Sequence, residues 1–417
     1  MRVCYVDTGM VSEIGHHATS CRLITGALRA RGHDVTVASW VGLSPELRAE
    51  FQARPVFQHN TYAAADTDAL CGWLAGYFVS SQVTSQNIAS LGPFAAADLL
   101  YVNSVFPAQL HAVYNFLAGL PDGARPQTVV ELGTDPGVEY VAADGGIALA
   151  PRDPRVDARA TLYRFTGRQM AGKHLPELHL VTFDRTSSEV YSLLLGTPVG
   201  TLPLPHRGPA TVRRRGGAGP RTVAFLGHQR GEKGFHFVPA IARQLLAERS
   251  DVRLLIHNAL PAGMPEPQLA LRAMAADDAR IVLDERPAGP AIWQDLLDRA
   301  DLIVCPYLVD RFRAGYSALA SEAIAAGIPL VVPEHTTLSR LLQDFAGGGA
   351  RFAEQRAESV VAAISRVLDD FNTHADLAAV AATHWAGTMG PDRMVAAMLM
   401  RIGASTMAQR AAVRLAA

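Results

Sequence analysis

Residues 2–39 read RVCYVDTGMVSEIGHHATSCRLITGALRARGHDVTVAS. The run RVCYVD at 2–7 is short and apolar, which is typical of a buried strand. Residues 15–31 carry apolar side chains at the spacing of a helix, and DVTVAS at 34–39 has the pattern of a second strand. The order strand, helix, strand predicts a βαβ unit, and therefore a parallel sheet at the start of the chain.

The same alternation extends along the chain and is interrupted once. Further strands are predicted in the first half at 99–102, 128–132, 179–183 and 199–202. Residues 203–220 hold four prolines, four glycines and four arginines, which is typical of an exposed connector. The alternation then restarts, with predicted strands at 222–227, 252–257, 280–284, 301–305 and 329–332 and predicted helices at 234–249, 266–275, 290–299 and 317–326.

This pattern predicts an α/β protein with two doubly wound domains. We place them at 1–204 and 221–390, joined by a linker at 205–220, and expect a cleft between the carboxyl ends of their sheets. Residues 391–417 are predicted to form a helix that packs back on the first domain. Contact with an anionic membrane face is the alternative for this helix, because it carries Arg393, Arg401, Arg410 and Arg414.

Composition excludes several classes of protein. The 417 residues include 38 Lys+Arg and 39 Asp+Glu, so there is no basic field for nucleic acid, and any anion site must be local. The four cysteines are far apart, which argues against a metal site or a disulfide framework. The N-terminus has no signal-peptide pattern, and no apolar run reaches the roughly 18–20 residues of a spanning helix. We expect a cytoplasmic protein without metal or other cofactor, and the oligomeric state stays open.

Three nucleotide and hydrolase motifs fail. GRQMAGKH at 167–174 has His174 where a P-loop needs Ser or Thr, and it follows a helical pattern instead of a strand. Neither half opens with GxGxxG, which disfavours a dinucleotide-binding enzyme. No GxSxG is present, which disfavours an α/β-hydrolase.

A basic loop follows the first strand of the second half. In VAFLGHQRGEKG the strand ends at Gly227, and Arg230 and Lys233 come just before the next helix. The planar fork of arginine and the point charge of lysine together suit a diphosphate. The alternative is that both side chains are simply solvated.

A second segment, GYSALASEAIAAGIPLVV, begins a helix at Gly315, Tyr316 and Ser317. The first N–H groups of that helix form a local anion site. Glu322 lies on an apolar face of the same helix, where a carboxylate is costly without partners. Two ribose hydroxyls are one possible set of partners, and a buried salt bridge is the other.

Two further loops precede helices. Gly15 and His16 come before the first helix, whose N–H groups can bind a phosphate or an acceptor, although a glycine there is also an ordinary turn. Thr336 and Thr337 precede a later helix, where a helix cap is favoured over contact with a nucleotide.

Together these motifs resemble the GT-B glycosyltransferases, in particular the retaining nucleotide-sugar enzymes of family 4. SEAIAAGIPLVV is close to that family's EA(M/L)AxGxPVV, and GHQRGEKG follows its GRLxxxKG loop. IGHHATSCRLITGALRARGHDVTV resembles its N-terminal GGxxxxxxxLxxxLxxRGHxVxV. The resemblance implies two Rossmann-like domains and covers nearly the whole chain except 40–98.

The resemblance also implies roles for single residues. Glu322 would bind the donor ribose, Lys233 the diphosphate, and Gly15 would lie near the donor phosphates and the acceptor. His228 stands where the family has arginine, and Arg230 is the candidate substitute. The family's first glutamate falls on Ala314, or on Asp310 when counted from Pro306, which makes Asp310 a candidate catalytic acid.

The sequence points less clearly to the residues that would bind the acceptor than to those of the donor site. The family's active-site histidine is not evident, and Glu131 or Asp135 in TVVELGTDPG can contact an acceptor hydroxyl, with a turn role favoured for Asp135. Acceptor recognition is expected within 40–120. The hypothesis is metal-free, retaining transfer from a nucleotide-diphosphate sugar to a hydroxyl acceptor, which can be a glycan, a lipid-linked acceptor or a small molecule. The alternatives are a GT-B nucleotide-binding scaffold without turnover and a sugar-nucleotide 2-epimerase.

Overall fold

A computed structural model describes residues 1–13, 15–62, 72–143, 146–209, 211–212, 215–216 and 219–416. The chain divides into two compact units. The first unit comprises 1–12, 17–205 and 391–417, and the second comprises 13–16 and 206–390.

The first unit is built on a seven-stranded parallel sheet. The strands of this unit are β1 (Arg2–Asp7), β2 (Asp34–Trp40), β3 (Arg54–Phe57), β4 (Leu99–Val102), β5 (Gln127–Glu131), β6 (Val138–Ala143), β7 (Gly146–Pro151), β8 (Leu178–Thr182) and β9 (Gly200–Thr201). Their order in the sheet is β3-β2-β1-β4-β5-β8-β9, while β6 and β7 form a separate antiparallel hairpin. The helices are α1 (His17–Ala30), α2 (Pro45–Phe51), α3 (Gly72–Ala89), α4 (Pro107–Ala118), α5 (Arg159–Gly172) and α6 (Arg185–Leu195).

The second unit is a six-stranded parallel sheet with the order β12-β11-β10-β13-β14-β15. Its strands are β10 (Arg221–Phe225), β11 (Val252–His257), β12 (Ile281–Asp284), β13 (Leu302–Val304), β14 (Leu330–Pro333) and β15 (Gly349–Phe352). Its helices are α7 (Val238–Glu248), α8 (Pro265–Asp277), α9 (Pro290–Arg299), α10 (Val309–Phe312), α11 (Ala318–Ala325), α12 (Thr337–Asp344), α13 (Ala357–Asp369) and α14 (Phe371–Thr388). Helix α15 (Pro391–Ala416) returns the chain to the first unit.

Both sheets are doubly wound around their first strand. In the first unit β1 pairs with β2 on one side and with β4 on the other, and in the second β10 lies between β11 and β13. The chain therefore reverses its winding direction at β1/β4 and again at β10/β13. In open α/β sheets, ligands bind outside the carboxyl ends of the strands at such switch points.

Burial explains why these strands are continuous apolar runs. In β10 and β13, Val223 and Leu302 are completely buried, because helices cover both faces of a parallel sheet. Ile241 of α7 and Ile364 of α13 belong to the same core and are also fully buried. The helical periodicity of these segments therefore reflects their packing on the sheet.

The fold class predicted from the sequence is confirmed, and most elements lie within a few residues of their expected positions. Residues 167–172 of the P-loop-like segment lie inside α5, so they form no phosphate cradle. Thr336 caps α12 and accepts a hydrogen bond from the Ser339 N–H, as expected. The elements α2, β3 and α3 were not predicted, since the sequence showed no usable pattern at 40–98. The hairpin β6–β7 and the strand β15 were not predicted either, and only helix was expected after 329–332.

The expectation of an exposed connector is wrong at four of the described residues in 203–220, which are buried: Leu204, Pro205, His206 and Arg215. His206 is 1% exposed, and its carbonyl accepts a hydrogen bond from the Trp385 indole at 2.8 Å. Arg215 is also buried, and its guanidinium donates to the Ala300 carbonyl. Proline, glycine and arginine indicated an irregular backbone correctly, but such a backbone can still pack when its polar groups find partners.

Helix α15 packs on the first unit, where it contacts α1. The Arg31 guanidinium donates to the Asp392 carbonyl at 2.8 Å. The Arg401 side chain lies against Gly200 of β9. Among the described helices, none is both long and apolar enough to cross a membrane.

Candidate functional site

The loop after β10 is shaped by Gly227, which has a φ of 113°. The Gly227 N–H donates to His257 Nδ1 at 3.3 Å, and the Gln229 N–H donates to Asn258 Oδ1 at the same distance. Both acceptors lie at the end of β11. The loop is therefore held at the carboxyl edge of the sheet by the neighbouring strand.

A second glycine fixes this loop against the segment that follows β13. Gly234 has a φ of 68°, and a Cβ atom there would overlap the Pro306 carbonyl oxygen. The Leu308 N–H donates to the Glu232 carbonyl at 2.9 Å, which ties the same two segments together. The loops that flank the β10/β13 switch point are thus in direct contact.

Lys233 lies in this pair of loops. Its ammonium is 5.7 Å from the centre of the Tyr307 ring, and a Cβ atom on Gly227 would lie 3.5 Å from it. Burial lowers the pKa of Lys233 to about 8, and the charge of Arg230 contributes in the same direction. An anion bound beside Lys233 would stabilise the charged form of the side chain, which burial disfavours.

The helix α11 begins at the same edge of the sheet. Ser317 caps it by accepting a hydrogen bond from the Ala320 N–H at 3.3 Å, and the Thr337 hydroxyl donates to the Gly315 carbonyl at 2.6 Å. The loop before the helix is therefore held by α12.

Glu322 projects from α11 toward two aromatic side chains. One carboxylate oxygen accepts a hydrogen bond from the Trp293 indole at 2.9 Å, and the other lies 3.5 Å from His206 Nδ1. The Glu322 side chain is 14% exposed. Both oxygens retain acceptor capacity, because a carboxylate offers about four lone-pair sites.

Trp293 connects the two halves of this site. A Cβ atom on Gly227 would lie 3.9 Å from its ring, and its indole bonds to Glu322. The structure thereby brings Gly227, Lys233 and Glu322 together around Trp293 and Tyr307, within the second unit, and Ser317 caps the helix that carries Glu322.

Arg230 and His228 lie in the same loop with different environments. The Arg230 guanidinium is about half exposed and pairs with Glu232 at 2.8 Å. Burial, together with the charges of Arg230 and Lys233, lowers the pKa of His228 to about 4. His228 is therefore neutral near pH 7, so it can bind a ligand by hydrogen bonding but adds no positive charge.

The short segment 13–16, which contains Gly15 and His16, belongs to the second unit. There it contacts Tyr316, which lies in the loop before α11. Gly15 is exposed and has a φ of 96°, which favours glycine. The His16 ring lies edge-on to the Tyr316 ring, with centroids 5.5 Å apart. Tyr316 is also 6.3 Å from the ring of His206.

The two candidate catalytic carboxylates lie on α10 and at the end of β5. Asp310 is half-buried on α10, while the other candidate position for the missing glutamate, Ala314, is buried. Glu131 ends β5 in the first unit and accepts a hydrogen bond from the Tyr101 hydroxyl at 2.7 Å. Burial raises the pKa of Glu131 to about 7, although the Tyr101 bond lowers it. Asp135 forms ion pairs with Arg152 and Arg159, which fits the turn role expected for it.

Sequence reasoning missed four residues of this site: Trp293, Tyr307, His206 and His257. Each lies in a different segment, and none belongs to a motif with fixed spacing. Tyr307 carried the one usable signal, since it follows the buried strand β13 at the carboxyl edge. No cluster of three His, Cys, Asp or Glu suited to a metal ion occurs among the residues that the structure describes.

Residues 172–398 match the model of a family described as family 4 glycosyltransferases in conflict systems. No curated protein matches the chain. Among solved structures, sucrose-phosphate synthase from Thermosynechococcus elongatus is similar, with 14% identity and a TM-score of 0.63 over 99% of this chain and 100% of that one. Trehalose-6-phosphate synthase OtsA is 11% identical with a TM-score of 0.66, over 97% and 99% of the two chains. Anabaena HepE, solved with UDP-glucose, is 13% identical with a TM-score of 0.62, over 96% and 99%. These likenesses show the GT-B fold.

Proposed function

The chain belongs to the family 4 glycosyltransferases of conflict systems, and we propose that it transfers a sugar from a nucleoside-diphosphate sugar to a hydroxyl acceptor. The proposal includes retention of configuration at the anomeric carbon and no requirement for a metal. Asp310 and Glu131 stay candidate catalytic groups within it.

The observation that carries this proposal is the pairing of one half-buried lysine with one carboxylate at the β10/β13 switch point. Lys233 lies beside Gly227, and a diphosphate bound there would favour the charged form of Lys233, which burial disfavours. Glu322 is the matching acceptor for the two ribose hydroxyls, with Trp293 fixing its orientation. The start of α11 at Ser317 adds N–H donors for the phosphate.

In the proposed reaction, the bond between the anomeric carbon and the diphosphate oxygen breaks. The acceptor oxygen forms its bond to that carbon on the same face, and the acceptor proton passes to the departing diphosphate. Negative charge grows on the leaving group, and Lys233, Arg230 and the α11 N–H groups stabilise it. Preorganised donors of this kind contribute about 3–4 kcal/mol each.

UDP-glucose is the first donor to test, because HepE was solved with it. A thermal-shift panel of UDP, GDP, ADP and TDP with their common sugars identifies the base. A ligand at about 100 times its Kd stabilises the protein by about 2.7 kcal/mol, which moves the Tm by a few degrees. Release of free sugar and nucleoside diphosphate then distinguishes a transferase from an epimerase or a scaffold.

Lys233→Ala and Glu322→Ala should each abolish the nucleotide shift. Lys173→Ala is the matched control, because Lys173 is the only other lysine and donates to the Ala118 carbonyl in the first unit. A normal shift in both site variants, or no shift with any nucleotide in the wild type, would refute the proposed donor site.

A further inference from the structure

A second polar cluster lies at the β1/β4 switch point of the first sheet. Asp7 is the last residue of β1, and Asn103 directly follows β4. Val6 and Val102 are paired in register, so Asp7 and Asn103 leave the sheet side by side. Glu131 ends β5, the next strand in the sheet. None of the sequence motifs accounts for Asp7 or Asn103.

The Asp7 carboxylate is completely buried and organises this cluster. It lies 2.8 Å from His17 Nδ1 and accepts hydrogen bonds from Asn103 Nδ2 at 2.8 Å and the Gly9 N–H at 3.0 Å. On its other side, His17 Nε2 is 2.6 Å from the Tyr62 hydroxyl. Asp7, His17 and Tyr62 thus form a continuous hydrogen-bonded chain from the buried strand end outward.

The protonation state of His17 decides which atom donates in each hydrogen bond between Asp7, His17 and Tyr62. Burial by itself would lower the pKa of His17, but Asp7 and Tyr62 outweigh it and raise the pKa to about 10. Both ring nitrogens therefore donate near pH 7, one to Asp7 and one to the Tyr62 oxygen. The proton of the Tyr62 hydroxyl is then left to be donated to another group.

Tyr62 is fixed in position yet partly accessible. Its ring lies edge-on between His17 and Phe106, with centroids 5.7 Å from each. The residue is 39% exposed.

Several polar atoms around Tyr62 have no hydrogen-bond partner among the described residues. Asn103 uses its Nδ2 on Asp7, while its Oδ1 is unpartnered, although the residue is only 4% exposed. Asn60 Nδ2 and Thr61 Oγ1 are likewise unpartnered in buried residues next to Tyr62. Buried polar groups without partners are rare in folded proteins, and they favour a site for a polar ligand.

We propose that Tyr62 and Asn103 form a subsite for the hydroxyl groups of a sugar acceptor, with His17 and Asp7 as positioning residues. This inference rests on the proposed transferase function and names where its acceptor binds. Sugar hydroxyls both donate and accept, so one hydroxyl of a sugar can accept from Tyr62 while another donates to Asn103 Oδ1. Sulfate carries no proton at neutral pH and only accepts hydrogen bonds, so it cannot satisfy Asn103 Oδ1. The Asp7–His17 pair is neutral overall, which also fits an uncharged ligand.

Fluorine NMR of protein labelled with 3-fluorotyrosine tests this subsite directly. The chain has ten tyrosines, and the Tyr62 line is the one that disappears in Tyr62→Phe. We expect glucose, maltose or glycerol to shift this line in a saturable way. The line of Tyr114, whose hydroxyl bonds to the Gln169 carbonyl, should stay unchanged.

Asn103→Ala should weaken the sugar affinity measured at the Tyr62 line by about five- to tenfold, the effect of one lost hydrogen bond. Asn103→Ser serves as a second variant if the alanine variant fails to fold. The inference is overturned if none of the three polyols moves the Tyr62 line, if sulfate moves it equally, or if a folded Asn103 variant binds sugar like the wild type.

The same samples separate this inference from the proposed function. Tyr62→Phe should keep the thermal shift with UDP, since the nucleotide is proposed to bind in the second unit. Loss of that shift in Tyr62→Phe, with an unchanged Tm, would contradict the assignment of Tyr62 to the acceptor. If the wild type responds to sugars but to no nucleotide, the proposed function fails and the polyol subsite stands.

Discussion

Raising the pH from 7 to 9 should weaken UDP binding by about tenfold through Lys233 alone. With a pKa of about 8, Lys233 is about nine-tenths protonated at pH 7 and about one-tenth protonated at pH 9. If only the charged ammonium binds the diphosphate, the apparent Kd rises as the protonated fraction falls. Below pH 7 this effect levels off, because Lys233 is already charged.

The composition makes the titration directly observable. The chain has only two lysines, Lys173 and Lys233, so protein with ¹³C-labelled lysine gives two side-chain signals. The Lys233 signal, identified by its loss in Lys233→Met, should titrate near pH 8. Saturating UDP should move its midpoint upward, because bound phosphate favours the charged form. The Lys173 signal should not respond to UDP.

Calorimetric titration of the protein with UDP at several pH values measures how the affinity depends on pH. Lys233→Arg is the informative variant, since arginine stays charged up to pH 9. Its UDP affinity should be independent of pH even if it is weaker overall. A flat affinity in the wild type, together with a Lys233 midpoint near the ordinary value of about 10.5, would refute the reasoning.

Three further predictions test the site and the loops. Glu322→Ala should remove the preference for UDP over 2′-deoxy-UDP, which we expect to be about tenfold in the wild type from one charge-assisted hydrogen bond, as measured by calorimetry. Gly234→Ala should destabilise the protein by about 2–4 kcal/mol in urea unfolding, because its φ is positive and a Cβ atom would overlap the Pro306 carbonyl, whereas Gly231→Ala, with open space, should cost less than about 1 kcal/mol. The folded-state pKa of Glu131, about 7, lies above its unfolded value, so this group's contribution to stability is lost as the pH rises through 7; Glu131→Gln should therefore raise the Tm at pH 8 but not at pH 5.

The sequence predicted the elements that depend on local pattern. The apolar runs at β1, β10 and β14 were recognisable, because strands buried on both faces exclude polar side chains. Gly227 was visible as a loop residue, and Gly234 was expected at the start of the next helix. Their positive φ angles explain why glycine stands there.

The sequence pattern did not predict the segments whose structure depends on tertiary packing instead of on a local repeat of apolar residues. The hairpin β6–β7 interrupts the alternation without a hairpin turn motif that we recognised. His206 lies in a proline- and glycine-rich stretch that predicted exposure, yet Trp385 binds its carbonyl from 179 residues away. No local spacing encodes such a contact.

By itself, the sequence determined two α/β domains and the loops that carry Lys233, Ser317 and Glu322, because the alternation of strands and helices and the placement of glycine follow from local preferences. The family resemblance added the GT-B architecture. Only the tertiary structure decided which side chains complete these loops. Trp293 meets Glu322, and Tyr62 meets His17, through contacts between segments 29 and 45 residues apart. The physical reason is that a doubly wound sheet gathers the carboxyl ends of separate strands at one switch point, where residues without a shared motif become neighbours.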